Sequence, residues 1–460
     1  NDCSPIVYIP DVNFKNALLS NTAINPNNDT EISYNEAAAF TGTMDVSSKN
    51  IADLTGIEAF VNITYLSCWN NNLTSLDVSA NTALTFLSCG GNSLTSLDVS
   101  ANTALTTLYC YDNALTSLDV SANTALKSLL CNNTALTSLD VSANTALTIL
   151  LCHNNALTRL DVSANTYLQY LYCYDNALTS LDVSANTALK SLLCNNNALT
   201  SLDVSANTAL TRLDCYSTAL TSLDVSANTA LIFLLCHNNA LTSLDVSANT
   251  ALKSLHCHNS ALTSLDVSAN TALTTLYCYN NDLTSLDVSN NTALTSLYCY
   301  GNDLTYLNVA NGNNTNLNYF IGTDNPNLSC IQVDNVAYSN ANWANNIDAT
   351  ASFSTNCGTG KATKTKTNVD VATVIDSSLD NELLFNETIR ISPNPVVNTL
   401  SIVTPSGFQL KEAKVYNLLG KALLSSFNNK IDASSLPTGM YIVKVESTDG
   451  KIQTKKIIKE

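Results

Sequence analysis

Apolar and polar positions recur with a fixed period of 21 residues between Leu73 and Leu304. One copy runs Leu94-Thr-Ser-Leu-Asp-Val-Ser-Ala-Asn-Thr-Ala-Leu-Thr-Thr-Leu-Tyr-Cys-Tyr-Asp-Asn113. A constant period of this length marks a solenoid, whose units cannot bury their apolar faces alone and stack on their neighbours. Each copy holds two phrases in which apolar positions alternate. They are Leu84-x-x-Leu87-x-Cys89-x-x-Asn92-x-Leu94 and Leu94-x-x-Leu97-x-Val99-x-x-Asn102. A period of two predicts a short strand from each phrase, with one face inside. Asn92 and Asn102 are expected to turn the corners, their amides hydrogen-bonding the bent backbone and forming ladders. Thr134, Thr218 and Ser260 replace the first Asn in three copies and should weaken those corners.

The pattern changes at both ends, because a solenoid needs capped termini. Residues 1–60 read as an N-terminal cap, with a short helix over Ile9–Leu19 after a Pro-Asp start and a lead-in turn at Leu54–Phe60. The solenoid is assigned to 61–320, and its period slips by two residues at Gly312-Asn313-Asn314-Thr315. Residues 321–357 read as a C-terminal cap containing Trp343. Residues 358–389 turn to Thr, Lys, Asp and Ser and read as a solvated linker. Short alternating strands over 390–460 predict a small β-sandwich. The fold class is thus mainly β.

Charge narrows the partners. Residues 1–360 carry 7 Lys+Arg against 27 Asp+Glu, a net of −20, and residues 361–460 carry a net of +3. An acidic repeat region lacks the basic footprint that nucleic acid or an anionic membrane requires. No apolar run approaches the ~18 residues of a membrane span, so no membrane insertion is expected. The chain begins at Asn1 rather than Met, which leads us to expect a secretory signal already removed.

Twelve of the 15 cysteines lie on one line, from Cys68 through Cys89 and Cys110 to Cys299, 21 residues apart. Stacked strands ~4.8 Å apart carry such side chains side by side rather than towards each other, which suits a disulfide poorly. A buried ladder of reduced thiols acting as small hydrophobes is expected. Cys330 and Cys357 lie off the line and are expected to bridge, sealing the end of the solenoid. Cys3 has no evident partner.

The variable positions of each copy flank the cysteine and point outward. They supply Tyr109, Tyr111, His153, Tyr172, Tyr174, Tyr216, His237, His256, His258, Tyr277, Tyr279, Tyr298 and Tyr300. Beside a nearly constant Thr-Ser-x-Asp-x-Ser face, an aromatic-rich variable face has the composition of a recognition surface for a glycan or protein. A plainer reading stays open. Tyr109–Asn133 and Tyr172–Asn196 are identical, a copy displaced by 63 residues, and aromatics favour strands without any ligand. His237, His256 and His258 cluster, but apart from Asp214, which is two rungs from His256 and far for such a contact, no carboxylate is placed to orient their rings, and no metal or cofactor is assigned. Eleven carboxylates from Asp77 to Asp287 form a second ladder. Mutual repulsion is expected to raise some of their pKa values, although a solvated row bonded to Ser and Thr is the simpler arrangement. The Thr74–Thr305 row raises ice binding as a remote alternative. No phosphate loop, catalytic triad or metal-hydrolase spacing occurs, so no catalytic residue is assigned and an enzyme is not expected.

The repeat resembles a leucine-rich repeat, and more narrowly the 21-residue bacterial class called IRREKO, in which Leu-x-x-Leu-x-(Leu/Cys)-x-x-Asn-x-Leu precedes a Leu-Asp-(Leu/Val) phrase. The resemblance implies a parallel β-solenoid of little curvature. The last stretch resembles the type A C-terminal sorting domain of the Bacteroidota type IX secretion system. It carries Pro393-Asn394-Pro395, Gly420, Gly439-x-Tyr441 and a basic terminus with Lys455, Lys456 and Lys459. That resemblance implies the secretion machinery as a partner and export across the outer membrane, to the medium or the cell surface. Together these readings lead us to expect an exported adhesion or recognition protein. The rival is a structural surface rod without a specific ligand.

Overall fold

The computed structural model describes residues 5–358, 390–392, 399–403, 410–416, 422–426, 430–437, 439–447 and 452–459. It forms two units, Asn1–Asn368 and Val369–Glu460. Cys3 and nearly all of the expected linker lie outside the described residues.

In the first unit the Leu-x-Cys phrase of every copy forms a three-residue strand, and these strands pair in parallel in one 14-stranded sheet. Register advances by one period per rung, as in Phe86↔Thr107, Leu87↔Leu108 and Ser88↔Tyr109. Leu87, Cys89, Leu94 and Val99 and their equivalents are fully buried in one continuous core. The twelve ladder cysteines are buried free thiols. Burial pushes the Cys89 thiol up to about 12, so the row is neutral and packs as hydrophobe.

The two Asn ladders close the corners. The Leu73 amide donates to Asn92 Oδ1 (3.0 Å), while Asn92 Nδ2 donates to the carbonyls of Cys68 (3.1 Å) and Cys89 (3.0 Å). Asn102 Nδ2 donates to the carbonyls of Val78 (3.0 Å) and Asn81 (2.9 Å). Each amide thus ties a coil to the one before it. The residue two places after each cysteine adopts a left-handed backbone, with φ of 50° at Asp112 and 53° at Asn133. This accounts for the Asn, Asp and Gly found at all these positions but Ser217, since those residues tolerate that conformation best.

The second phrase departs from expectation. It forms no strand in most copies; paired strands occur only at Ser285–Asp287, Tyr306–Asn308, Cys330–Gln332 and Ser352–Ser354. Its apolar residues are buried as the pattern requires, but its backbone follows the aspartate. Asp98 Oδ1 accepts the Ser100 amide at 2.9 Å, and the same turn recurs along the row. Pairing begins where Asn308 follows Asp287 and its Nδ2 donates to Asp287 Oδ2 at 3.3 Å. Like charges directly opposite one another disfavour pairing, and there the carboxylate row ends. The expected upward pKa shift is also overturned. The Ser100 hydroxyl and amide hold the Asp98 carboxyl below its usual range and outweigh repulsion from Asp119.

At the N-terminus Asp11 caps helix Val12–Leu19, accepting the amides of Asn13 (2.8 Å) and Phe14 (2.9 Å) and burying Phe14 and Leu18. Strand Thr43–Asp45 adds the first rung to the sheet. At the other end the two-residue slip is visible in the register Ser296↔Tyr319. Trp343, at the end of helix Val336–Trp343, packs on Phe320 with ring centroids 5.0 Å apart. A disulfide joins Cys330 to Cys357, with Cα atoms 5.6 Å apart.

The second unit holds a three-stranded and a four-stranded antiparallel sheet. Leu400, Ile402 and Ile431 from one, and Val415, Val443 and Val445 from the other, share one core. Tyr441 is buried there, and its hydroxyl donates to the Pro437 carbonyl at 2.8 Å. Gly439 pairs with Lys459, Val443 with Lys455 and Ile442 with Lys456. Pro393, Asn394, Pro395 and Gly420 lie outside the described residues.

Candidate functional site

Strand alternation turns three columns of side chains outward on each rung: the first strand residue and the two neighbours of the cysteine. The expected tyrosines and histidines all stand in the second and third columns. They are half-buried, except for His153, His258 and Tyr298, which are buried. Most of them stack on one another.

The third column carries an unbroken run of five rings. Tyr216–His237 centroids are 4.4 Å apart, His237–His258 4.1 Å, His258–Tyr279 4.1 Å and Tyr279–Tyr300 4.4 Å, all within 17° of parallel. Alongside it run His256, Tyr277 and Tyr298, at 4.5 and 4.6 Å. His256 lies 6.2 Å from His237 and 6.1 Å from His258, so the two columns form one cluster. Elsewhere the aromatics are sparser. His153 stacks on Tyr174 at 4.2 Å, Tyr109 meets Phe86 edge-on at 5.4 Å, and Tyr172 lies in register between Leu151 and Leu193. Tyr111 lies over Gly90, where an added Cβ would come within 2.9 Å of its ring.

Stacking decides what the cluster offers. Interior rings have both faces covered, so they present edges and phenol hydroxyls rather than flat platforms. Burial, with the neighbouring His256, lowers the His237 imidazole to about 3; burial and both histidines lower His258 to about 2. These two rings are therefore neutral at physiological pH. Burial and the adjacent Tyr300 raise the Tyr279 phenol. Among the described residues no group of three or more His, Cys, Asp or Glu is arranged to hold a metal ion.

The first column was missed in the sequence. It contributes Tyr65, Phe86, Tyr170, Arg212, Phe233 and Tyr319, of which Phe233 and Tyr319 are exposed. All but Tyr319 stand two residues before a neighbour of a ladder cysteine, so strand parity alone would have found them. Across the three columns from Tyr65 to Tyr300, the only charged side chains are Arg212 and Asp214, on one rung. Arg212 Nη2 meets Asp214 Oδ2 at 2.8 Å, its Nε lies 3.1 Å from Oδ1, and its guanidinium sits 5.9 Å from the Phe233 centroid.

Comparison with known proteins places both units. Residues 390–460 match the secretion system C-terminal sorting domain. The chain is similar to the functional domain of InlJ from Listeria monocytogenes, which includes a cysteine ladder: 33% identity, TM-score 0.61, covering 94% of this chain and 93% of that one. An internalin (inlF) from Listeria monocytogenes shares the fold at 23% identity, covering 66% of this chain and 99% of its own, with a TM-score of 0.54. A leucine-rich repeat protein of Leptospira interrogans does so at 21% identity, covering 66% and 80%, with a TM-score of 0.55. No curated protein matches. No helix among the described residues is long and apolar enough to cross a membrane. Solenoids of this kind are typically interaction scaffolds, and a sorting domain of this kind engages the type IX secretion machinery. The chain belongs to the bacterial leucine-rich repeat proteins built on a cysteine ladder, and its sorting domain marks it for export to the medium or the cell surface.

Proposed function

We propose that the solenoid is a recognition module, binding a macromolecular ligand through its Tyr/His strand face, and that it has no catalytic activity of its own. The observation that carries this reading is the segregation of charge. Eleven ladder carboxylates occupy the second-phrase side, while the strand face is aromatic and, apart from one ion pair, uncharged. Interface cores show the same signature, with aromatic residues enriched and charge depleted. Twelve rungs at ~4.8 Å, about 15 Å wide, give a face of roughly 900 Å², comparable with the ~800 Å² that each partner contributes to a standard interface. Of the two ligand classes the composition suggests, the covered ring faces favour a protein, because a sugar ring needs an open aromatic face to stack upon.

The test replaces rings by residues that the same columns carry elsewhere. In the full chain, Tyr277→Leu and Tyr298→Leu copy Leu193, and Tyr279→Asn and Tyr300→Asn copy Asn195. Screened against surface proteins and polysaccharides, the parent should bind one and the variant should lose it while keeping a cooperative thermal transition. A structural rod is the second reading, favoured by the 63-residue duplication. It predicts no ligand for either protein.

A further inference from the structure

Asp214 is out of place as a folding residue. Its register neighbours in the second column are Leu193 and Leu235, and its side chain is only 5% exposed. Taking a carboxylate out of water between two leucines is costly, and the Arg212 fork offsets this without improving on a leucine there. Replacing such a pair by apolar residues of similar size is often neutral or stabilising. The preceding rung shows that the fold accepts the simpler solution, with Ser191 and Leu193 at the two positions. Folding therefore does not account for the couple.

Its geometry points to recognition. Asp214 engages the Nε/Nη2 side of the guanidinium from behind, and the Phe233 ring flanks it. The ion pair and the ring hold the guanidinium in place, while the arginine side chain remains 35% exposed. It is the single cation on the three columns and shares its rung with Tyr216, where the five-ring stack begins. Building on the recognition reading above, we propose that Arg212, oriented by Asp214, is the specificity-determining residue of the strand face. It takes one carboxylate, an Asp or Glu side chain, of a polypeptide partner whose remaining contacts with the face are uncharged. A polyanion does not fit, because one arginine on a strongly acidic solenoid cannot offset repulsion along a whole polymer. The guanidinium edge pairs with carboxylate geometry, and an arginine amid aromatics is the typical make-up of an interface hot spot.

The probe is a displayed library of random peptides selected on the full chain. Selected peptides should carry an Asp or Glu. Their affinity should drop about tenfold or more when that residue becomes Asn or Gln, and equally on the Arg212→Ser/Asp214→Leu variant. That variant reproduces the preceding rung and should keep or raise the parent's Tm. Arg212→Ser alone should lower Tm, because it removes the ion pair that offsets the burial of the Asp214 carboxylate. Selected peptides without a carboxylate, equal binding by the double variant, or a clear fall in its Tm would each overturn the proposal. Peptides that bind the double variant normally yet fail on the four-tyrosine variant would sink this inference while sparing the recognition reading. A library that enriches nothing overturns the inference and leaves the recognition reading to the ligand screen.

Discussion

His237 and His258 lie ring on ring inside the aromatic run, with Nδ1 atoms that are buried and make no hydrogen bond. A histidine in an unfolded chain titrates near 6.5, whereas these two resist protonation down to about 3 and about 2. Below pH 6.5 the unfolded state therefore binds protons that the folded state refuses. Stability is complete above that value and is lost steadily as pH falls towards 3. The Asp row behaves differently. The carboxyls of Asp98 and Asp119 are held below their ordinary 3.8 by Ser100 and Ser121, so their contribution persists above pH 3.8 and is lost only at lower pH. Tm should thus decline from pH 6.5 to 4 in the parent and much less in a His237→Tyr/His258→Tyr variant, which keeps the stack but removes the titrating groups. Parallel declines in the two proteins would refute the assignment to these rings. At this scale most of the candidate site was legible, since alternation about a core cysteine is enough to choose the outward residues. Arg212 was not, because the tyrosines and histidines of the repeat concentrate at the flanks of the cysteine and the arginine stands one pleat earlier.

Corners are the element on which the solenoid depends. At Thr134 and Thr218 the hydroxyl donates to its own coil's cysteine carbonyl, at 3.0 and 3.1 Å, and to the next Asn. Neither replaces the Asn oxygen that elsewhere accepts a leucine amide from the previous coil, as Asn155 does for Leu136. Ser260 Oγ is buried with no partner at all. Thr134→Asn, Thr218→Asn and Ser260→Asn should each stabilise by about 1 kcal/mol. The three should add, because the corners are at least two rungs apart; urea midpoints at unchanged slope would show it. The first phrase and both Asn corners were predictable, because their periods leave a single way to bury Leu87, Cys89 and Leu94. The second phrase was misread for a definite reason. Leu97-x-Val99 has strand parity, but Asp98 captures the Ser100 amide and bends the chain, and parity carries no information about that competition.

The whole solenoid is a one-dimensional stack, in which each coil contacts only its neighbours. Excising Cys110–Tyr172, 63 residues or three periods, joins Tyr109 to Cys173 in the register of the original rung. The shortened chain should fold in one transition, with a smaller urea slope in keeping with the surface removed. It should also retain whatever binds the cluster from Arg212 to Tyr300. An unfolded product, or one with two transitions, would show that the coils are not interchangeable. Such deletions also bear on the thiol row. Had neighbouring cysteines been cross-linked in pairs, gain or loss of an odd number of repeats would leave one half-cystine without its mate. Because every ladder sulfur is a self-sufficient packing group and the Cys330–Cys357 bridge lies beyond the last repeat, recombination between near-identical coding units can lengthen or shorten the protein freely. The reach of the molecule is thus open to selection one rung at a time, with no penalty from mispaired sulfur.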